Sequence, residues 1–328
     1  MQETELPVGV AIIGGGPAGL SAGLQLVRAN RRITVLDSNR PRHAATLRSH
    51  GFLTRDGVPP LEVRRLAREE FEAYPTAKVV QAVASEVTPL TRDEAIAVGF
   101  PDGIGFRVRG TGVRGAADAE VISRRVLIAA GLTEDLPDLP MIRAYYGTAL
   151  HSCVECDGFE KSDKPLVLIG ETSDLFARAL LISRISSDLI VFTNGADTIT
   201  PAQEEQLSKI GIRVERRQID DIVGEKADMT GVRLADGEVI PRVGGFVRPR
   251  WHAPVEFLGE NAIERDDWGL VVVDKRGETS VRGIYAVGDI VPPGPQQIVI
   301  AAGDGARVAA KLNMDMIRGA LGVGLIDE

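Results

Sequence analysis

The stretch from Val8 to Gly19, VGVAIIGGGPAG, constrains this chain more than any other. Its continuous apolar run is what a parallel strand buried on both faces requires. The run leads directly into G-x-G-x-x-G, and apolar residues then recur at helical spacing from Pro17 to about Ala29. With a further strand at Ile33 to Leu36, this is a βαβ unit in the context that makes the glycine motif informative. Gly14 permits the tight turn, Gly16 lets a pyrophosphate approach the backbone, and Gly19 lets the helix pack close to the strand. Pro17 and Ala18 lie at the helix N-terminus, whose free N–H groups suit phosphate. Asp37 ends the second strand, 18 residues after Gly19, where an acid binds ribose hydroxyls.

The pattern returns about 155 residues later. Leu166 to Ile169 reads as a strand, Gly170 begins a turn, Asp174 to Ile185 reads as a helix, and Leu189 to Phe192 as a strand. Thr200-Pro201-Ala202-Gln203 has the form of a capped helix start. Pro60 to Tyr74 is helical in spacing, and strands dominate from about Val79 to Ile128. Strands return from about Phe246, and a last helix begins near Gln297. No low-complexity linker separates these parts, and 328 residues suffice for two cores. The expected fold class is α/β, with two Rossmann-like, three-layer ββα nucleotide-binding domains, the second inserted into the first. Residues 1–133 and 248–328 form the outer domain, and residues 134–247 the inserted one.

Composition narrows the function. A net charge of -8 argues against a nucleic-acid groove. No apolar run reaches the ~18 residues of a membrane span. The acidic start, MQETELP, is unlike a secretion signal. Only two cysteines exist, Cys153 and Cys156. The cytoplasm is the expected compartment, with peripheral membrane association left open, and there such a pair is catalytic or metal-binding. A C-x-x-C pair can close a disulfide and reopen it through a mixed disulfide, which needs two neighbouring sulfurs. Asp157 follows directly and is placed to move the proton that a thiol gains or loses. The competing reading is zinc on His151, Cys153 and Cys156, with a fourth ligand from His43, His50, His252 or a carboxylate; we expect no metal.

Gly14–Gly19, Ala129-Ala130-Gly131, the run Cys153-Val154-Glu155-Cys156-Asp157-Gly158, Gly283–Asp289 and Gln297–Gly305 occur in this order over nearly the whole chain. Together they resemble the low-molecular-weight thioredoxin reductase family. The resemblance implies FAD on the outer domain, with Ala130 and Gly131 in its site. It places Gly288 and Asp289 on the ribityl or pyrophosphate part, and Gln297 and Ile298 near the flavin ring. It also implies a homodimer. Cys156 is then the sulfur beside the flavin, Cys153 meets the partner, and Asp157 is the acid–base.

The inserted domain departs from that family. Where a second glycine motif would bind NADPH stands Gly170-Glu171-Thr172-Ser173-Asp174-Leu175. Only the first glycine remains. Thr172 adds a side chain where backbone should meet pyrophosphate, and Glu171 and Asp174 bring negative charge there, opposite to what an anion needs. The next strand ends Phe192-Thr193-Asn194-Gly195, with no arginine for a 2′-phosphate and no acid for a ribose. The return strand reads Phe246-Val247-Arg248-Pro249-Arg250-Trp251-His252. These features count against NADP and resemble the diflavin-linked disulfide oxidoreductases of cyanobacteria, which lack NADPH motifs. That resemblance implies two FAD molecules per chain, and Arg248, Arg250 and Trp251 suit such a ligand by charge and stacking. The stretch His50–Gly57 resembles dithiol oxidases that form disulfides in small natural products and pass electrons to oxygen. His50 beside a flavin would be a base poised near working pH.

The expectation is an FAD-dependent enzyme that exchanges electrons between flavin and the Cys153–Cys156 pair without NADPH. Its partner is a thioredoxin-like protein or a small dithiol, and its other electron carrier a second flavin, quinone, ferredoxin or oxygen. The alternatives are an NADPH-dependent thioredoxin reductase, an oxygen-dependent dithiol oxidase and a non-enzymatic flavin redox sensor.

Overall fold

The structure is a computed structural model that describes residues 6–226, 228–259 and 263–323. The first five residues of the acidic start lie outside the described residues. The chain divides into two compact units. One comprises residues up to Arg42, Leu61–Thr133 and the chain from His252 onward; the other comprises His43–Pro60 and Glu134–Trp251.

In the first unit, strand Val8–Ile13 pairs in parallel with Ile33–Leu36 on one side and Ala119–Ile128 on the other, with Ile12 opposite Val35 and Leu127. Ala77–Val80 extends the sheet beyond Ile33–Leu36. Strand Ala119–Ile128 divides its far edge. Its last residues pair in parallel with Ile284–Ala286, while its first pair antiparallel with Phe106–Gly112, which continues to Ala82–Pro89. Helix Pro17–Arg28 and the long helix Ile298–Leu321 join the core with this sheet, through Leu20, Leu26, Val308 and Leu312. Gly23 admits the fully buried Phe71 ring, which a Cβ there would approach to 2.9 Å. A short helix, Arg92–Ala97, interrupts a region expected to be mainly strand; Thr91 and Glu94 close a capping box at its start.

The second unit is built on a parallel sheet in the order Arg213–Glu215, Leu189–Phe192, Leu166–Gly170, Gly244–Arg248, Leu150–His151. Its central strand buries alternate side chains on opposite faces. Leu166 and Leu168 meet helix Leu175–Ile182, while Val167 and Ile169 meet the antiparallel sheet Ile219–Glu225, Asp228–Leu234, Val239–Pro241. Burial on both faces is why that strand is uniformly apolar.

This division differs from the expected boundaries in two places. Residues 248–251 fall with the inserted unit, and so does His43–Pro60. A local reason for the second is visible at Gly147, at φ +90°, where a Cβ would overlap the carbonyl of Ala45.

Candidate active site

Cys153 and Cys156 form a disulfide, with their Cα atoms 5.3 Å apart. Strand Leu150–His151 leads into a single helical turn, Val154–Asp157. Cys153 caps that turn, its sulfur accepting the Cys156 backbone N–H at 3.1 Å. Buried Val154 anchors the turn in the core of the unit. The Glu155 carboxylate lies 3.9 Å from the Cys153 sulfur.

Asp157, next to Cys156 in the chain, pairs with a histidine. Its Oδ1 is 2.9 Å from Nδ1 of His151, and Nε2 of that imidazole is 2.6 Å from the carbonyl of Thr148. Lys161 is buried close by and donates to the carbonyl of Ala149 at 3.0 Å. Burial pushes its ammonium below the usual lysine range, and the Asp157 carboxylate pulls it back up. His151, considered above only as a zinc ligand, is therefore committed to Asp157. Among the described residues no group of three or more His, Cys, Asp or Glu is arranged to hold a metal ion.

His50 lies in the same unit, between two carboxylates. Its Nδ1 is 3.4 Å from Asp56 and its Nε2 is 3.5 Å from Glu160. Asp56 also accepts the backbone N–H of Gly51.

The first glycine turn is tightly built. A Cβ on Gly14 would overlap the Ala129 carbonyl, and one on Gly19 would overlap the carbonyl of Gly14. Gly16, the N-cap of helix Pro17–Arg28, has no atom within 4 Å of where its Cβ would be. Gly131, at φ +66°, is equally open. Asp37 is buried at the end of its strand and accepts from the backbone of Asn39 at 3.0 Å and from the guanidinium of Arg64. Arg64 also donates to the Asn39 side chain at 2.6 Å and to the carbonyl of Gly15 at 3.1 Å. Gly288, at φ +77°, packs on Ala18, and a Cβ on Gly305 would overlap the Ala18 carbonyl. These contacts bring the Gly288–Ile290 turn to the start of the first helix. There Asp289 pairs with Arg42 at 2.9 Å, and the Gly288 N–H bonds to Asp304 at 2.9 Å. Gln297 is the N-cap of the final helix, which begins at Ile298. Sequence reading missed Arg42, Arg64 and Asp304, whose partners lie 247, 27 and 16 positions away.

The second glycine turn is built otherwise. The strand runs through Gly170, and its helix begins only at Leu175. Thr172 bonds to Asp174 at 2.7 Å. Asp174 forms ion pairs with the largely buried Arg248 at 2.8 Å and with Arg178 at 3.6 Å. Glu171 accepts from Asn194 at 2.8 Å and pairs with Arg250 at 3.2 Å. The Arg248 guanidinium also sits over the Trp251 ring, 5.6 Å from its centre. Leu175 is fully buried against Gly170.

The family described as pyridine nucleotide-disulphide oxidoreductase matches residues 8–305. The chain belongs to this family. A crystal structure of HlmI is 32% identical, with a TM-score of 0.86, over 96% of this chain and 94% of that one. An oxidoreductase from Agrobacterium tumefaciens is 31% identical, with a TM-score of 0.81, over 95% and 99%. A thioredoxin reductase from Helicobacter pylori is 27% identical over 91% of this chain and 96% of its own. The chain is thus an enzyme of thioredoxin reductase-like architecture, and its two units have the Rossmann-type fold of its relatives. Membership implies FAD, and the first unit fits a dinucleotide. Gly14 and Gly19 are closed by packing, while Gly16 leaves open space at a helix N-terminus, as a pyrophosphate needs. No helix among the described residues is long and apolar enough to cross a membrane.

Proposed function

We propose that this oxidoreductase exchanges electrons between FAD and a partner dithiol through Cys153–Cys156, without NADPH. The observation that carries the second clause is the occupation of the inserted unit's glycine turn by its own ion pairs. Glu171 and Asp174 present carboxylates where a dinucleotide presents phosphates, and Asn194, Arg248 and Arg250 already bind them. A nucleotide would have to displace these pairs and then meet like charge.

When bound, FAD supplies the two-electron acceptor for the dithiol. The chain supplies the exchange. A partner thiolate attacks Cys153, the sulfur that the family resemblance gives to the partner, and Cys156 leaves as the sulfur that it gives to the flavin. Asp157 handles the proton. The partner is a thioredoxin-like protein or a small dithiol, the enzyme is a cytoplasmic homodimer, and a second FAD stacks its ring on Trp251 in place of NADPH, without putting its pyrophosphate into the Glu171–Asp174 turn. That arrangement follows the resemblance to the diflavin-linked branch; quinone, ferredoxin and oxygen are the other acceptors.

An NADPH-dependent thioredoxin reductase is the second reading. The family match, which runs through the inserted unit to residue 305, favours it. Counting flavin per chain after denaturation, then adding NADPH without air, separates the two. Two flavins and no bleaching support the proposal. Rapid bleaching by NADPH would overturn its NADPH-independent clause. If Cys156→Ser left flavin reduction by dithiols intact, the exchange scheme would fail.

A further inference from the structure

The environment of His151 goes beyond a single acid–base group at Asp157. The Thr148 carbonyl can only accept a hydrogen bond, so Nε2 of His151 carries a hydrogen. Nδ1 faces Oδ1 of Asp157 at 2.9 Å, so one proton lies between the two rigidly held groups. The imidazolium–carboxylate and imidazole–carboxyl forms differ only by its transfer along that bond. Both side chains are largely buried, at 10% and 14% exposure, so bulk water is poorly placed to replace either.

We propose that His151 is the proton reservoir of the dithiol site, passing its proton through Asp157 to the sulfur of Cys156. The inference rests on the dithiol–disulfide reading above. The Asp157 carboxylate acts electrostatically on the buried Lys161 ammonium. Glu160 and Lys164 act on Lys161 with opposite sign, and Glu160 is shared with His50 at 3.5 Å. Glu155 stands beside the Cys153 sulfur rather than the imidazole.

The step balances. A partner thiolate bonds to Cys153 sulfur, the Cys153–Cys156 bond breaks, and its electron pair stays on Cys156. The Asp157–His151 pair gives that sulfur its proton and is left one proton poorer, with a neutral imidazole. The partner's second thiol gives its proton to the relay as it attacks the mixed disulfide and releases Cys153. The partner is oxidised by two electrons and the cysteine pair reduced by two.

The test uses the purified holoprotein and dithiothreitol without air. Samples are acid-quenched and alkylated before the flavin absorbance falls, and newly opened cysteines are counted by mass. Rates are divided by the concentration of dithiothreitol thiolate and followed across about pH 5–8, where histidine changes charge. The wild type should open fastest at the acid end and slow as the relay loses its proton. His151→Gln should be flat with pH and slower at the acid end by about a hundredfold. Asp157→Asn should match it, and the double variant should be no slower, because the pair acts as one unit. His151→Asn retains a donor toward Asp157 but no titrating proton, so it too should be flat. It also carries the test if the glutamine variant fails to fold. A wild-type profile in His151→Gln would overturn the relay. The same profile in His151→Asn would reduce His151 to a positioning residue, which also overturns it. Failure of dithiothreitol to open the bridge in the wild type would instead sink the dithiol reading itself.

Discussion

Asp174 lies 2.8 Å from Nε of the largely buried Arg248 guanidinium, in the inserted unit's counterpart of the turn that the first unit leaves open at Gly16. The second glycine turn already departs from the motif in sequence, and the two turns differ in structure by what fills them. One keeps bare backbone at a helix N-terminus. The other supplies its own anions and its own cations. Burial pushes the Arg248 guanidinium below its usual range, with the Asp174 carboxylate opposing that shift. The pair therefore has a structural role whatever ligand lies nearby.

Removing that carboxylate strands a buried cation. Asp174→Asn should destabilise the protein by about 3 kcal/mol, read by urea unfolding of the Trp251 fluorescence with Trp268 replaced by Phe in both proteins. It should not confer bleaching by NADPH, because Glu171, Thr172 and the delayed helix start remain. A variant that bleached with NADPH would show that Asp174 alone had excluded the nucleotide.

The glycines of the first turn should respond in opposite ways. Gly16→Ala puts a methyl group into open space, so flavin-free protein should unfold at the wild-type midpoint while flavin is lost on gel filtration. Gly19→Ala drives a methyl group into the Gly14 carbonyl and should lower stability by about 1–3 kcal/mol with or without flavin. Equal destabilisation by both would mean that Gly16 is structural and that the cradle is misassigned.

What sequence could tell here depended on how far apart the partners lie. Gly14, Gly16 and Gly19 were legible because each answers a backbone demand that no other residue meets. Thr200 was legible because a capping box is complete within four residues, and Gln203 does close it. The parallel sheets could be read because burial on both faces leaves an unbroken apolar run. Arg64 and Arg42 were not legible, since nothing local marks a surface-type residue that folds back onto Asp37 or Asp289. The attachment of His43–Pro60 to the inserted unit was hidden for the same reason. His151 was legible only as a ligand in the competing zinc reading, because a histidine near C-x-x-C looks alike whether it faces a metal or a carboxylate.

Acid should act on the outer unit through one carboxylate. Asp102 is buried between Arg124 and Arg125, at 2.8 and 2.6 Å. Burial opposes its ionisation, but hydrogen bonds from both guanidinium groups hold it down at about 2. A depressed carboxylate contributes stability that is complete above its unfolded value of about 3.9 and is lost as pH falls toward the folded one. Unfolding midpoints should therefore drop between about pH 4 and 2. Asp102→Asn should cost about 3 kcal/mol at neutral pH and flatten that acid limb. An unchanged limb would place the acid sensitivity elsewhere.

Arg42 offers a sharper test of the flavin site, because it neutralises the one carboxylate assigned to the flavin's ribityl or pyrophosphate region. Its guanidinium meets Asp289 at 2.9 Å, with both side chains about one-fifth exposed. Without it, Asp289 would face phosphates as an uncompensated anion. Arg42→Gln should weaken FAD binding by about tenfold, or about 1.4 kcal/mol, measured by fluorescence titration of flavin-free protein. Because the pair is partly exposed, its loss should change the unfolding free energy of the flavin-free chain by less than about 1 kcal/mol. Raising the salt concentration should narrow the gap between variant and wild type, since screening weakens the repulsion that the arginine removes. Unchanged affinity at low salt would mean that Asp289 and Arg42 form a structural pair away from the flavin, and the placement of Asp289 would have to be abandoned.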